Sequence, residues 1–290
     1  MIETIIIRGA MVGAVYASLA VGFSLIFGVA RIINLAHTAF FMLAAYFMFS
    51  LVNNFSLNFF LLIILSVSLV TILGTICYKL FLERIREHEG AVLLVTVALA
   101  IAIQECILLF YGSLYKSLAP FVPGNAEFLG VTIPWQELII LGVTIICLIG
   151  LLLFLYRTNC GLALRVTAQD RETANLMGIN VQRICLLSIS IAIGLAGLAG
   201  AIVGPIYTLE PLMWAHPLVM MFAAVILGGL GSIKGSFIGA FILGYTEVLV
   251  VFLAPEGSFI KGPVAMGIMV LILLIKREGL FGISFEEERL

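Results

Sequence analysis

Two carboxylates stand inside otherwise apolar stretches of this sequence: Glu105, beside Gln104, in the run 91–111, and Glu247 in the run 235–254. Placing a carboxylate in such a run costs about 2.5–3.5 kcal/mol on insertion scales, so each must face a partner or a cavity. A ligand ammonium is one such partner and a proton or ion site is another. Interhelical hydrogen bonding or protonation serves equally well without any ligand. No basic residue in a neighbouring run makes a buried ion pair evident. A further polar interruption, Asn34 and His37 flanked by Arg31, separates the first two apolar runs. It reads as the lining of a translocation path or a gate latch, and equally as side chains that cap backbone groups freed at a turn.

Other chemistry has little to build on. Neither HExxH, GxSxG nor GxxxxGK[ST] occurs, and Cys77, Cys106, Cys147, Cys160 and Cys185 show no CxxC or paired spacing. No metal, cofactor or disulfide framework is expected from that pattern, and the chain is read as a non-enzyme whose work is driven from outside it. The net charge of −1, with no basic face of useful length, argues against nucleic acid as a partner.

The elements that must position these groups are membrane helices. Apolar residues make up 63% of the 290 and charged residues 11%, against about a quarter in soluble domains, and the mean hydropathy is +1.24. The fold class is therefore all-α and polytopic, a single membrane domain over 1–290. Runs long enough to cross a bilayer lie near 5–29, 36–52, 58–80, 91–111, 137–156, 184–206, 235–254 and 262–275. A ninth segment, 217–229, is short and ends in a glycine cluster, which suits a short tilted helix or a re-entrant piece. The first run is too long and too lightly charged in front for a cleaved signal and is read as a retained span.

Basic residues concentrate at Lys79, Arg84 and Arg86, at Arg157, Arg165, Arg171 and Arg183, and at Lys276, Arg277 and Arg289. The positive-inside rule puts these three segments in the cytoplasm, and nine crossings then put the N-terminus outside. Lys116 and Lys261 fall on the outer side in this arrangement, as does the loop 112–136, a Pro- and Gly-rich turn region leading to Trp135. Pro205, Glu210, Pro211 and His216 mark a second outer loop. Gly194, Gly197, Gly200 and Gly204 form one smooth face for helix packing. The stretches 28–46 and 228–245 echo each other, each running from Gly through a polar break into a small-residue helix that ends in Tyr.

Segment 157–183, RTNCGLALRVTAQDRETANLMGINVQR, is the most informative. A helix is expected from about Ala163 to Met177, closed by Gly178 at the C′ position. Leu164, Thr167, Ala168, Ala174 and Met177 give it a small or apolar side, while Arg165, Asp170, Arg171 and Glu172 give it a polar one. Such a helix lies on a membrane surface, fits a groove of a partner, or is a solvated connection.

Its pattern GxxxRxxAQDxExAxxxGIN resembles the coupling loop of importer-class ABC permeases, in the form found in the branched-chain amino acid family. The stretches 22-GFSLIFGVARIINLAHTAFFMLAAY-46 and 222-FAAVILGGLGSIKGSFIGAFILG-244 are similar to that family's other two signatures. One departure is Thr38, where the family usually has Gly after the His. The β-branched side chain crowds a close helix approach and leaves a hydroxyl to place.

The resemblance implies a permease subunit of an ATP-driven importer in a prokaryotic inner membrane, moving branched-chain amino acids or a related small solute. It implies a second permease subunit, identical or homologous, two cytosolic ATPases and an extracytoplasmic binding protein. Gly161, Arg165, Ala168, Asp170, Ala174 and Gly178 would then couple to the ATPases, while Asn34, His37, Glu105 and Glu247 are the candidates for the path. The competing expectation is a gradient-driven carrier or channel using Glu105 or Glu247.

Overall fold

A computed structural model describes residues 2–55, 57–128, 131–254 and 256–282. The acidic stretch 286–289 therefore lies outside the described residues. The apolar runs become helices α1 (Ile2–Ala30), α2 (His37–Asn54), α3 (Phe59–Cys77), α4 (Glu89–Tyr111) and α5 (Trp135–Arg157). They are followed by α6 (Asn159–Gln169), α7 (Arg171–Leu176), α8 (Val181–Val203), α9 (Ala215–Gly228), α10 (Ile233–Leu253) and α11 (Gly257–Ile275). A π-helical turn, Tyr78–Leu82, extends α3. The Pro- and Gly-rich loop holds an antiparallel hairpin, β1 (Asn125–Phe128) and β2 (Val131–Pro134).

Among the described residues, seven helices are long and apolar enough to cross a bilayer: α1, α3 with its π turn, α4, α5, α8, α10 and α11. The eighth run, α2, has 18 residues and starts on the buried polar pair His37 and Thr38. The ninth, α9, has 14 residues, roughly 21 Å at 1.5 Å rise per residue. Its N-cap Trp214 donates to Gln104 in the far half of α4, and its last carbonyl accepts from Phe281 in the C-terminal segment. The two ends of α9 thus touch opposite ends of the bundle, as a short tilted helix does and a re-entrant loop does not.

Helix α1 is the axis, buried along most of its length against α10, α8, α5 and α9. Helices α3, α4 and α11 form an outer shell that presents Leu94, Leu109, Phe110, Phe259, Leu274 and Ile275 outward. Inner contacts rely on small residues, because apolar lipid gives helices no hydrophobic drive to associate and close packing must supply the attraction. The expected glycine face of α8 is used this way, though split between neighbours: Gly194 and Gly197 lie against α3, and Gly200 lies against the backbone of α2.

The basic segments converge on one end. There the α3–α4 turn meets α8 through Gln182 Nε2 and Glu83 Oε1 at 2.5 Å, and the C-terminal segment meets α9 through Leu280 N and Leu227 O at 2.8 Å. Lys116 pairs with Leu209 in an isolated bridge at the other end, near the hairpin.

A Cβ at Gly200 would overlap the Phe41 carbonyl oxygen, whereas one at Gly142 meets nothing within 4 Å. Gly200→Val is expected to destabilise the protein by about 1–3 kcal/mol, and Gly142→Ala to leave it unchanged, in thermal unfolding of the detergent-solubilised chain.

Candidate functional site

The loop between α5 and α8 is built from its caps upward. Thr158 ends α5 in extended backbone, and its hydroxyl accepts the Gly161 amide at 3.0 Å to start α6. Gly161 sits so tightly beneath α5 that a Cβ would strike the Phe154 carbonyl. Leu164 and Thr167 face inward on α6, with Ala168 partly covered. The Arg165 Nε donates to the Leu155 carbonyl at 3.1 Å, with its guanidinium 4.9 Å from the Tyr156 ring centroid. It therefore closes the C-terminus of α5, where a cation is favoured.

The single helix expected over 163–177 is two helices, parted at Asp170. That residue is extended, and its carboxylate accepts the amides of Glu172 at 2.9 Å and Thr173 at 3.2 Å and the Thr173 hydroxyl. A side chain that offers the backbone such bonds ends one helix by starting the next. The same bonds, led by those from Thr173, hold the Asp170 carboxyl below its ordinary value. Ala174 is fully buried beneath α7. Gly178 closes α7 with φ 82°, giving its amide to Asn175 and the next amide, that of Ile179, to Ala174, both at 3.0 Å. That pair of bonds is a Schellman closure, which needs the left-handed backbone that glycine adopts freely. Leu176 and Met177 are left 88% and 73% exposed beside it.

One residue that the sequence reading left without a separate role ties this loop to the membrane core. Arg171 donates from Nε (3.1 Å) and Nη2 (2.8 Å) to the carbonyl of Val29, in the last turn of α1. Such carbonyls have no partner inside their own helix, so the guanidinium caps α1 from the first residue of α7. The sequence signal was available: a helix ending at an arginine needs a foreign donor for its carbonyls. Which arginine supplies it is a matter of tertiary structure. Arg171, Glu172, Asn175, Arg86, Gln182 and the stretch 178–181 line a groove of about 570 Å³ beside the closure.

Beyond Val29 the chain breaks. Arg31 has φ 50°, left-handed backbone uncommon for a residue with a side chain. Asn34 is buried and its Oδ1 accepts the Ala36 amide at 3.1 Å, so it serves the turn. His37 caps nothing. Its ring is fully buried against Gly22 and Phe23, with neither nitrogen hydrogen-bonded among the described residues. The Thr38 hydroxyl is likewise buried and unpartnered.

The carboxylates lie toward the opposite end. Glu247 has the basic partner that the sequence did not make evident, because α11 begins at Gly257 and carries Lys261 into the bundle. The Lys261 Nζ stands 2.6 Å from Oε1, the Tyr16 hydroxyl donates to Oε2 at 2.5 Å, and His216 Nε2 is 3.4 Å from Oε1. His216 stands in the first turn of α9, next to the loop and still exposed, with its Nε2 3.1 Å from the Tyr16 hydroxyl, so it also belongs to this knot. Four helices, α1, α9, α10 and α11, meet there. Glu105 is exposed on α4, 3.4 Å from the Gln104 amide. Gln104 in turn accepts the Trp214 indole at 2.8 Å. The loop between α5 and α8 thus meets the end of α1 through Arg171 and Val29, five residues before Asn34, and neither carboxylate is bonded to that loop among the described residues.

Asp170→Ala is expected to speed amide exchange at Glu172 and Thr173 several-fold, while Asp170→Asn keeps the cap. Because the carboxyl titrates below its ordinary value, the native cap is at full strength above about pH 5 and weakens as pH falls through that lowered value. Glu247→Gln strands Lys261 and is expected to cost about 3 kcal/mol, much of it restored in Glu247→Gln with Lys261→Met, by thermal unfolding.

Residues 5–275 match the family described as "Branched-chain amino acid transport system / permease component". The permease protein BraD of a Pseudomonas aeruginosa high-affinity branched-chain amino acid transport system is 30% identical, over 96% of this chain and 94% of that one. LivH of Escherichia coli (strain K12), from a system of the same description, is 28% identical over 95% and 94%. The probable permease protein LivH of Methanocaldococcus jannaschii is also 28% identical, over 98% and 94%. Among solved structures, PsaBC from Streptococcus pneumoniae, in complex with a Fab, superposes with a TM-score of 0.52 over 100% of this chain and 98% of that one. At 16% identity it supports the fold alone. With the matched region taking in every helix that crosses the bundle, and relatives aligned almost end to end, this multi-pass membrane protein belongs to the permease-component family of branched-chain amino acid transport systems.

Proposed function

We propose that the chain is the membrane-spanning subunit of an ATP-driven importer of branched-chain amino acids in a prokaryotic inner membrane. It pairs with an identical or homologous permease, takes its cargo from an extracytoplasmic binding protein, and is driven by cytosolic ATPases. The cargo follows from the names of the relatives. The mechanism rests on one observation, the bonds from Arg171 to the Val29 carbonyl.

Helix α7 carries two exposed apolar side chains, Leu176 and Met177, on a rigid base made by the Asp170 cap and the Gly178 closure. An ATPase that grips them moves α7 as a body. Arg171 passes that movement to the end of α1, five residues before Asn34, so the polar break and the buried His37 feel the state of the ATPases. Each ligand shifts the equilibrium between outward and inward forms only by its differential affinity for the two. Gly161, Arg165 and Ala168 act in this scheme by fixing α6 to α5. Glu247 acts as a knot that holds the outer ends of four helices while the inner ends move.

The test is reconstitution with the ATPases and the receptor. Leu176→Glu with Met177→Glu alters only exposed positions and is expected to lower leucine-stimulated ATP hydrolysis and uptake together, by tenfold or more. Uptake that continues without the ATPases and collapses with an ion gradient would overturn the proposal. Arg171→Ala is expected to keep hydrolysis and lower the solute moved per ATP, with Arg171→Lys in between, in paired hydrolysis and uptake assays.

A further inference from the structure

Three arginines gather where α1, the α3–α4 turn and α7 meet. Arg31 and Arg86 line one small cavity together with Ile32, Ile33, Glu89, Val92 and Leu93. Arg86 and Arg171 line the adjoining groove of about 570 Å³. None of the three is ion-paired with a carboxylate among the described residues. Of the nearby acids, Glu83 is bonded to Gln182, while Glu89 lines the small cavity and Glu172 the groove, both largely exposed and neither ion-paired among the described residues. Burial lowers the Arg171 guanidinium from its ordinary value, with the charges of Arg86 and Arg31 adding to that and Cys185 and Tyr78 opposing it. The Val29 carbonyl holds Arg171 in place, while Arg31 and Arg86 bring two further positive charges beside it.

The ligand chemistry that fits is a phosphate, which planar guanidinium groups bind with paired hydrogen bonds. The source is set by the surroundings. The small cavity has apolar walls, Ile32, Ile33, Val92 and Leu93, and α4 continues from it with the outward-facing stripe Leu94, Val97 and Ile101. A headgroup at the arginines would leave its acyl chains on that stripe, at the end of the bundle where the basic loops collect and where anionic lipid concentrates. We propose that Arg31, Arg86 and Arg171 form a binding site for the phosphate headgroup of an anionic phospholipid in the inner leaflet. The site is distinct from the polar break at Asn34 and His37, and it adjoins the α7 surface assigned to the ATPases. It fixes the lipid at the joint between α1 and α7, so that leaflet composition acts on the same carbonyl-capped helix end that the coupling loop holds.

The experiment uses the full-length chain in nanodiscs of phosphatidylcholine alone or with one third phosphatidylglycerol, followed by native mass spectrometry of the lipids retained. Wild type is expected to retain phosphatidylglycerol at least tenfold over phosphatidylcholine. Arg31→Asn with Arg86→Gln is expected to abolish the preference while melting unchanged in phosphatidylcholine, since asparagine tolerates the left-handed backbone at 31. The exposed neighbour Arg84→Gln is expected to keep it, and serves if the double variant folds poorly alongside the single Arg86→Gln. No preference in wild type, or one unchanged in the Arg86 variants, overturns the proposal. Saturable binding of inorganic phosphate that displaces the lipid at millimolar concentration overturns the lipid assignment in favour of a free anion. Protection of the arginines that needs the soluble partner subunits and no lipid overturns it in favour of a protein carboxylate.

Discussion

A helix that ends without water around it must have its last carbonyls satisfied by some other part of the protein. The rest of this structure is arranged around one such end, that of α1. The helix stops at a left-handed Arg31, and Phe27 accepts the Arg31 amide, but the Val29 carbonyl has no donor in its own segment. Arg171 supplies the donor from 142 residues further along the chain, beyond α5. Buried Cys185, at the start of α8, approaches the same oxygen at 3.8 Å. One backbone group therefore holds the central helix, the loop between α5 and α8, and α8 itself in register.

The two ends of the molecule treat polar groups differently. At the end that carries the hairpin, Glu247 is met by Lys261, Tyr16 and His216, and a knot so fully partnered resists being opened. Toward the basic end His37 and Thr38 are buried at the start of α2 with no hydrogen bond among the described residues. Desolvated groups left unpaired are costly. Close backbone contact holds α2 to α8 at Gly200, and α1 to α10 at Gly13 and Gly244.

Much of the fold was legible in the sequence because its causes are local. The length of an apolar run decides whether a helix crosses, so all eight long runs appear as helices and the ninth appears at its short length. Gly178 was read correctly as a closing residue, since the left-handed turn it makes depends only on neighbours. The break at Asp170 was equally local and was missed, because the alternation of apolar and polar residues continues through it while the capping bonds override the period. The family was legible too, through three motifs in order, since a shared fold is written along the whole chain.

What the sequence could not decide is which distant groups meet. Lys261 lies in the first turns of α11, and only the start of that helix at Gly257 carries it to Glu247, so the expected gap opposite that carboxylate is filled from within. Arg165 and Arg171 are both cations on one short loop. One folds back on α5 and the other reaches a carbonyl 142 residues away, a difference set by the change of direction at Asp170 between α6 and α7. Spans, their order and their basic ends follow from hydropathy and charge, which each segment carries by itself. Partners across the bundle follow from how helices pack, and that is fixed jointly by all of them.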